Sequence, residues 1–206
     1  FFIGENGTGK STLLESMAIA AGFNAEGGSR NMRFSTRESH SPLHDFLSLR
    51  RSLKRPRDGY FLRAESFFNV ATEIEHLDAV PALAPPIINS YGSRSLHEQS
   101  HGESFLKLVM ERFSGHGLYI LDEPEAALSP TRQLSLLVRM HELVKQDSQF
   151  IVATHSPIIM AYPEATIYQL SEDGIRSVKY TETEHYAVTR RFLNMHERML
   201  KELLEQ

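Results

Sequence analysis

The sequence predicts an α/β fold in which a mostly parallel core sheet is flanked by helices, with a helical insertion in its middle. Three observations predict it. A glycine-rich loop, Gly4 to Ser11, lies between an apolar strand end, Phe1-Phe2-Ile3, and a helical pattern. Two short apolar runs, Leu118 to Leu121 and Phe150 to Ala153, stop at polar residues, as strands covered on both sheet faces do. The elements run strand, helix, a mostly helical stretch, then strand, helix, strand, the alternation of a layered α/β sheet.

Element by element, Lys10 to about Ala21 reads as the helix launched by the loop, and Asn24 to Ser41 as an exposed loop with short strands. Phe46 to Leu53 and Tyr60 to Arg63 are expected to pair as strands around the turn signal Pro56-Arg57-Asp58-Gly59. Phe67, Val70, Ile74 and Leu77 mark a helix over Ser66 to Leu77, ended by the Pro-rich run Val80 to Pro86. After Gly102, Phe105, Leu108, Val109 and Phe113 share one face of another helix. Ser129 and Pro130 suit the N-cap and N1 positions of a helix reaching about Lys145. Thr166 to Leu170 and Ile175 to Tyr180 read as a hairpin around Glu172-Asp173-Gly174. The tail from Glu184 is helical, with a restart at Asn194 and a capping box to Glu197.

The 206 residues suit one sizeable domain with a real apolar core. The net charge of −4 argues against a generally nucleic-acid-binding surface and leaves only local patches to consider. With no cysteine, disulfides and thiolate metal sites are excluded, and a reducing, cytoplasmic setting is expected. The most apolar early stretch, Met17 to Phe23, is too short to span a bilayer. Because a phosphate loop should follow a full strand and only three strand residues precede this one, the true N-terminus is expected to lie upstream.

The chemistry starts at Gly4, Gly9, Lys10 and Ser11, which fill the pattern G-x-x-x-x-G-K-S/T. Glycines let successive backbone N–H groups point at phosphate oxygens, and the helix presents its positive end to the same anion. Gly4, Asn6, Gly7, Thr8, Gly9, Lys10, Ser11 and Thr12 are thus the candidate nucleotide cradle. Lys10 is expected to reach the β and γ phosphates, and Ser11 to bind Mg²⁺. Downstream, the apolar run Leu118-Tyr-Ile-Leu ends in Asp122-Glu123. There Asp122 would hold the Mg²⁺ shell and Glu123 would polarise the attacking water. His155 ends the strand Phe150-Ile-Val-Ala, 32 residues after Glu123, at the sheet edge where ligands bind. It would sense the γ-phosphate.

Together these parts resemble the ABC ATPase family, over most of the chain. Gly4 to Ser11 resembles Walker A, Leu118 to Glu123 resembles Walker B with its catalytic glutamate, and Thr154-His155-Ser156 resembles the switch histidine. Gln99-Ser100-His101-Gly102-Glu103-Ser104 is similar to the family's signature motif. More narrowly, the chain resembles the compact bacterial stand-alone ATPases, an AAA-named group of SMC-related ABC heads. Phe61-Leu-Arg-Ala-Glu-Ser-Phe-Phe, Ser100-His-Gly-Glu-Ser-Phe and Arg191-Phe-Leu-Asn carry that likeness. The resemblance implies a single P-loop NTPase domain of ABC type over 1–206 that lacks its N-terminal strands, with a helical signature subdomain over 66–115. It also implies a head-to-tail homodimer in which Ser100, Gly102 and Glu103 of one copy complete the ATP site of the other. Departures accompany it: Glu65 stands at the Q-loop glutamine, His101 and Glu103 change the signature, and Ser129 stands at the D-loop aspartate. The family's adenine-stacking aromatic belongs upstream of Phe1.

His97-Glu98-Gln99-Ser100-His101 matches the zinc pattern H-E-x-x-H, but Gly102 follows at once and no core-facing stripe supports a continuous helix there. Arg50, Arg51, Lys54, Arg55 and Arg57 form a basic run, read either as a nucleic-acid contact or, in preference, as a solvated hairpin tip or a contact with a partner's acidic face. The faces carrying Phe105, Leu134 and Met199 are read as core, and Glu111, Arg112 and most remaining histidines as surface.

The resulting expectation is a Mg²⁺-dependent ATP hydrolase in which Glu123, His155 and Lys10 act on ATP and an unidentified effector protein is driven by the cycle. Two alternatives remain. A nucleotide-binding subunit of a membrane transporter would copurify with a membrane partner, which the altered Q-loop and signature disfavour. A nucleic-acid-linked repair or defence ATPase would be stimulated by DNA or RNA. A P-loop kinase would need neither the signature helix nor a glutamate directly after Asp122.

Overall fold

The computed structural model describes residues 1–30, 32, 41–50, 55–64, 72, 74–78, 86 and 101–205. Seven strands form one sheet: β1 (Phe2–Ile3), β2 (Gly28–Ser29), β3 (Asp58–Arg63), β4 (Gly117–Asp122), β5 (Gln149–Ala153), β6 (Ile167–Ser171) and β7 (Gly174–Val178). Their order is β2-β3-β4-β5-β1-β6-β7. The five central strands run parallel, and β2 and β7 add antiparallel edges. The helices are α1 (Lys10–Ala20), α2 (His101–Arg112), α3 (Pro130–Val144) and α4 (Glu184–Leu204).

Both faces of the sheet are covered, and strand periodicity decides which side chain enters which layer. Tyr60 and Leu62 of β3 and Tyr119 and Leu121 of β4 join Phe105, Leu108 and Phe113 of α2 and Leu136 and Met140 of α3 in one core. The intervening Phe61 and Ile120 enter the opposite core, with Leu14 and Ala18 of α1 and Phe23. That double coverage is why the strands read as uninterrupted apolar runs. At the far end of β3, Asp58 clamps α2 to the sheet: Arg112 Nη1 lies 2.9 Å from its Oδ1 and the Tyr119 hydroxyl 2.8 Å from its Oδ2.

Several expectations are corrected. Among the described residues, 46–50 form no strand and do not pair with Tyr60 to Arg63 as a hairpin. Asp58 and Gly59 already belong to β3, which pairs with β4 and β2, while residues 42–46 form a short 3-10 turn. Among the described residues, the basic run is therefore not the tip of a hairpin. Its described members, Arg50, Arg55 and Arg57, are exposed, whereas Arg51 and Lys54 lie outside the described residues. Arg112 is not free surface, because the Asp58 carboxylate holds it. Leu134 is exposed, since the buried stripe of α3 passes through Gln133, Leu136, Met140 and Leu143. Nor is Met199 core, as α4 has no buried residue. The break in α4 falls at Met195 (φ −139°, ψ 27°), and the Asn194 amide donates back to the Arg190 carbonyl, so it does not cap a new helix. Ser129 is the N-cap of α3, but its side chain makes no capping bond.

Among the described residues, no helix is long and apolar enough to cross a membrane. The expected helix over 66–77 is described only at 72 and 74–77, where Ile74 is buried and Leu77 is 40% exposed. The H-E-x-x-H pattern lies outside the described residues except for the backbone of His101, which begins α2.

Candidate functional site

The sheet's register assembles the site. Arg63 of β3 pairs with Asp122 of β4, Asp122 with Ala153 of β5, and Ala153 with Phe2 of β1. One row across four parallel strands thus ends at the same level, and three of the chain segments leaving it carry polar groups. These are the Gly4–Ser11 loop after β1, Glu123 after β4, and Thr154-His155 after β5. Open α/β sheets bind ligands at this carboxyl edge.

The loop itself is built around positive φ. Gly4 (φ 149°) passes so close to the Leu170 carbonyl that a Cβ would collide with it, and Gly9 (φ 85°) turns the chain into α1. Lys10 is buried, and its Nζ donates to the carbonyls of Gly4 and Glu5, each at 2.9 Å, tying the loop's mouth to its base. Burial pushes this ammonium below the ordinary lysine value, against the opposing pull of Glu123, Asp122 and Glu125. Asn6, Gly7 and Thr12 stay exposed around the loop, and Thr8 Oγ1 donates to the Glu5 carbonyl at 2.9 Å.

Ser11 Oγ donates to Asp122 Oδ1 at 3.0 Å, while Arg63 Nε lies 3.4 Å from Asp122 Oδ2 and Arg63 Nη1 lies 2.7 Å from Glu15 Oε2. Beside them, Glu123 adopts a left-handed conformation (φ 49°, ψ 53°) directly before Pro124. For a residue with a Cβ that costs about 1–2 kcal/mol, and such strain concentrates at functional sites. Its carboxylate faces the segment after β5, with Glu123 Oε1 3.6 Å from His155 Nε2.

A hydroxyl and one carboxylate form a sparse, hard oxygen set. That set fits Mg²⁺, which keeps waters and takes further oxygens from substrate phosphates. Among the described residues, no group of three or more His, Cys, Asp or Glu could hold a metal ion.

Three groups at the site carry no motif in the sequence. Arg63 was legible only as a strand end, yet it brackets Asp122. Glu125 takes the Thr154 hydroxyl on Oε2 at 2.8 Å and the His155 N–H on Oε1, fastening the segment after β5 to the turn after β4. His185, expected as surface, is half-buried at the start of α4, with its Nε2 3.1 Å from His155 Nδ1. Ser156 is fixed from behind, where Gln133 Oε1 accepts its hydroxyl at 2.6 Å.

Of the candidate signature residues Ser100, Gly102 and Glu103, the last two are described, and both make contacts within the chain. Gly102 packs so tightly on the Ala127 carbonyl that a Cβ would collide with it, and Glu103 pairs with Arg132 at 3.1 Å. Glu65 and Ser100 lie outside the described residues.

Residues 89–161 match the family model described as "AAA domain, putative AbiEii toxin, Type IV TA system". Among curated proteins, none matches the chain. Of the solved structures, the chain is similar to one titled "An inward-facing conformation of a putative metal-chelate type ABC transporter". It is 16% identical to it over 92% of this chain and 77% of that one, with a TM-score of 0.50. It is also similar to an SMC head domain from Thermotoga maritima, at 14% identity over 86% of this chain and 89% of that one, with a TM-score of 0.45. The first of these likenesses shows the fold, which is of the P-loop ABC type.

Proposed function

We propose that this ABC-type ATPase-like chain binds and hydrolyses ATP, working as a head-to-tail nucleotide-sandwich dimer whose cycle drives a partner protein. The observation that carries the reading is the convergence at one sheet edge of Lys10, the Ser11–Asp122 pair and the Glu123–His155 pair. Lys10 and the loop amides would take the phosphates, replacing the loop carbonyls that now hold the ammonium. Ser11 and Asp122 would hold Mg²⁺, which when bound neutralises charge on the phosphate oxygens.

Glu123 is the candidate base. It would accept a proton from water as the water oxygen bonds to the γ-phosphorus and the bond to the β-phosphate oxygen breaks. Its strained backbone and its place between Lys10 and His155 support that role. His155 would donate to the γ-phosphate from Nε2. The dimer reading rests on the resemblance of the segment around Gly102 to a signature motif. Ser100, Gly102 and Glu103 would approach the partner copy's ATP, with Glu103 first leaving Arg132.

A Glu123→Gln variant tests the base directly. It should retain ATP binding, accumulate an ATP-dependent dimer in light scattering, and release phosphate about 10²–10⁴-fold more slowly. Unchanged turnover would remove Glu123 from the chemistry.

A further inference from the structure

We infer that His185 is a positioning residue that holds His155 in the tautomer protonated at Nε2, a role that rests on the hydrolysis reading above. The two imidazoles meet Nδ1 to Nε2 at 3.1 Å, with ring centroids 5.3 Å apart. A hydrogen bond there needs one proton, and the ring supplying it decides the state of the other face of His155. If His155 Nδ1 were the donor, its Nε2 would carry a lone pair towards the Glu123 carboxylate, 3.6 Å away. Nε2 is buried and makes no hydrogen bond among the described residues, so no other donor relieves that repulsion. The opposite assignment removes the conflict. His185 Nε2–H donates to His155 Nδ1, and His155 Nε2–H points at Glu123 and at the space where a γ-phosphate oxygen would lie.

The surroundings favour this arrangement. Burial, then the neighbouring His155 and Lys10, push the His185 imidazolium below the ordinary histidine value, against Glu184 and Glu125. A neutral ring donating through one nitrogen is the outcome. The His155 backbone N–H is already committed to Glu125. The His185 backbone is anchored too, because Thr183, the buried N-cap of α4, accepts from the Tyr186 N–H and donates to the Tyr180 carbonyl at 2.8 Å. His155 is thus held at its backbone by one element and at its ring by another, 30 residues away.

Long-range 15N–1H correlation spectra of the free wild-type chain test the proton assignment without nucleotide. Both rings should show Nε2 protonated and Nδ1 bare; a His185 protonated at Nδ1 alone would overturn the inference. His185→Phe, which keeps the packing volume but has no donor, should broaden or average the His155 ring signals. It should also lower kcat about 10–100-fold, the usual effect of losing a partner that orients a functional histidine, with KM little changed. His185→Gln, which offers an amide N–H, should recover part of that loss. A His185→Phe enzyme with wild-type kcat and unaltered His155 resonances would also overturn it. If the wild type neither binds nor hydrolyses ATP while the tautomers are as stated, the hydrolysis reading fails and the proton assignment stands.

Discussion

The hydroxyl of Ser11 donates to Oδ1 of Asp122 at 3.0 Å, joining the first turn of α1 to the end of β4 across 111 residues. Asp122 is only 5% exposed, and its other oxygen faces Arg63, which keeps a second carboxylate partner in Glu15. Asp122→Asn should therefore leave the thermal midpoint nearly unchanged. Mg²⁺-dependent ATP turnover should fall at least about 10-fold and need more Mg²⁺ for saturation. A magnesium titration of turnover, paired with a melting curve, checks both halves.

Gly102 tests how α2 sits on the turn after β4. A Cβ there meets the Ala127 carbonyl and, at 2.8 Å, Arg132 Nη1. In most helices Gly→Ala stabilises. Here Gly102→Ala should instead destabilise by about 1–3 kcal/mol, the usual cost of overpacking. It should also separate Glu103 from Arg132. A lower urea midpoint with an unchanged m-value is the expected record.

Glu125 can be separated from Glu123 by its role. Glu125→Ala removes the acceptor for both the Thr154 hydroxyl and the His155 N–H, leaving partly buried donors unpaired at about 1–3 kcal/mol. Both the thermal midpoint and kcat should drop. By contrast, Glu123→Gln should lower kcat and spare stability. Glu125→Gln, which keeps one acceptor oxygen, should fall between wild type and Glu125→Ala in calorimetry.

Asp58 predicts an acid limb of stability remote from the site. Burial alone would raise its carboxyl, but hydrogen bonds from Tyr119, Arg112 and Ser114 and the Arg112 charge outweigh it and hold the pKa below its ordinary 3.8. A depressed carboxyl contributes stability in full above the unfolded value, and loses it as pH falls through the lower folded value. Asp58→Asn should therefore be less stable than wild type at pH 7 and converge with it as pH drops below about 3.8. Denaturant midpoints measured from pH 7 downwards would follow the convergence.

Much of this site was legible before any fold was drawn, because its parts are local. The Gly4–Ser11 loop carries its conformation in its own glycines. Asp122, Glu123 and His155 each follow an apolar run that could only be a covered strand. Where signals were not local, the reading failed. Asp58 and Gly59 resemble a turn, but β4 and β2 offered them a sheet. Leu134 looked like core until the stripe of α3 was fixed by contacts one residue away. Arg112 and His185, charged or titratable residues on helices, carry nothing in their immediate neighbours that announces a partner.

By itself, then, the sequence determined which groups are on offer: a glycine loop with its lysine, a serine and an aspartate, a glutamate and a histidine, each fixed by short-range pattern and strand periodicity. The tertiary structure alone decided which groups orient them. Arg63 reaches Asp122 through the β3–β4 register, Glu125 reaches Thr154 and His155 across the β4–β5 edge, and His185 reaches His155 from the start of α4. Each is a hydrogen bond or ion pair of a few ångströms between residues about 30 or more apart in the chain. Such contacts depend on register and helix placement, which are set by the packing of two cores and which no local window of sequence contains.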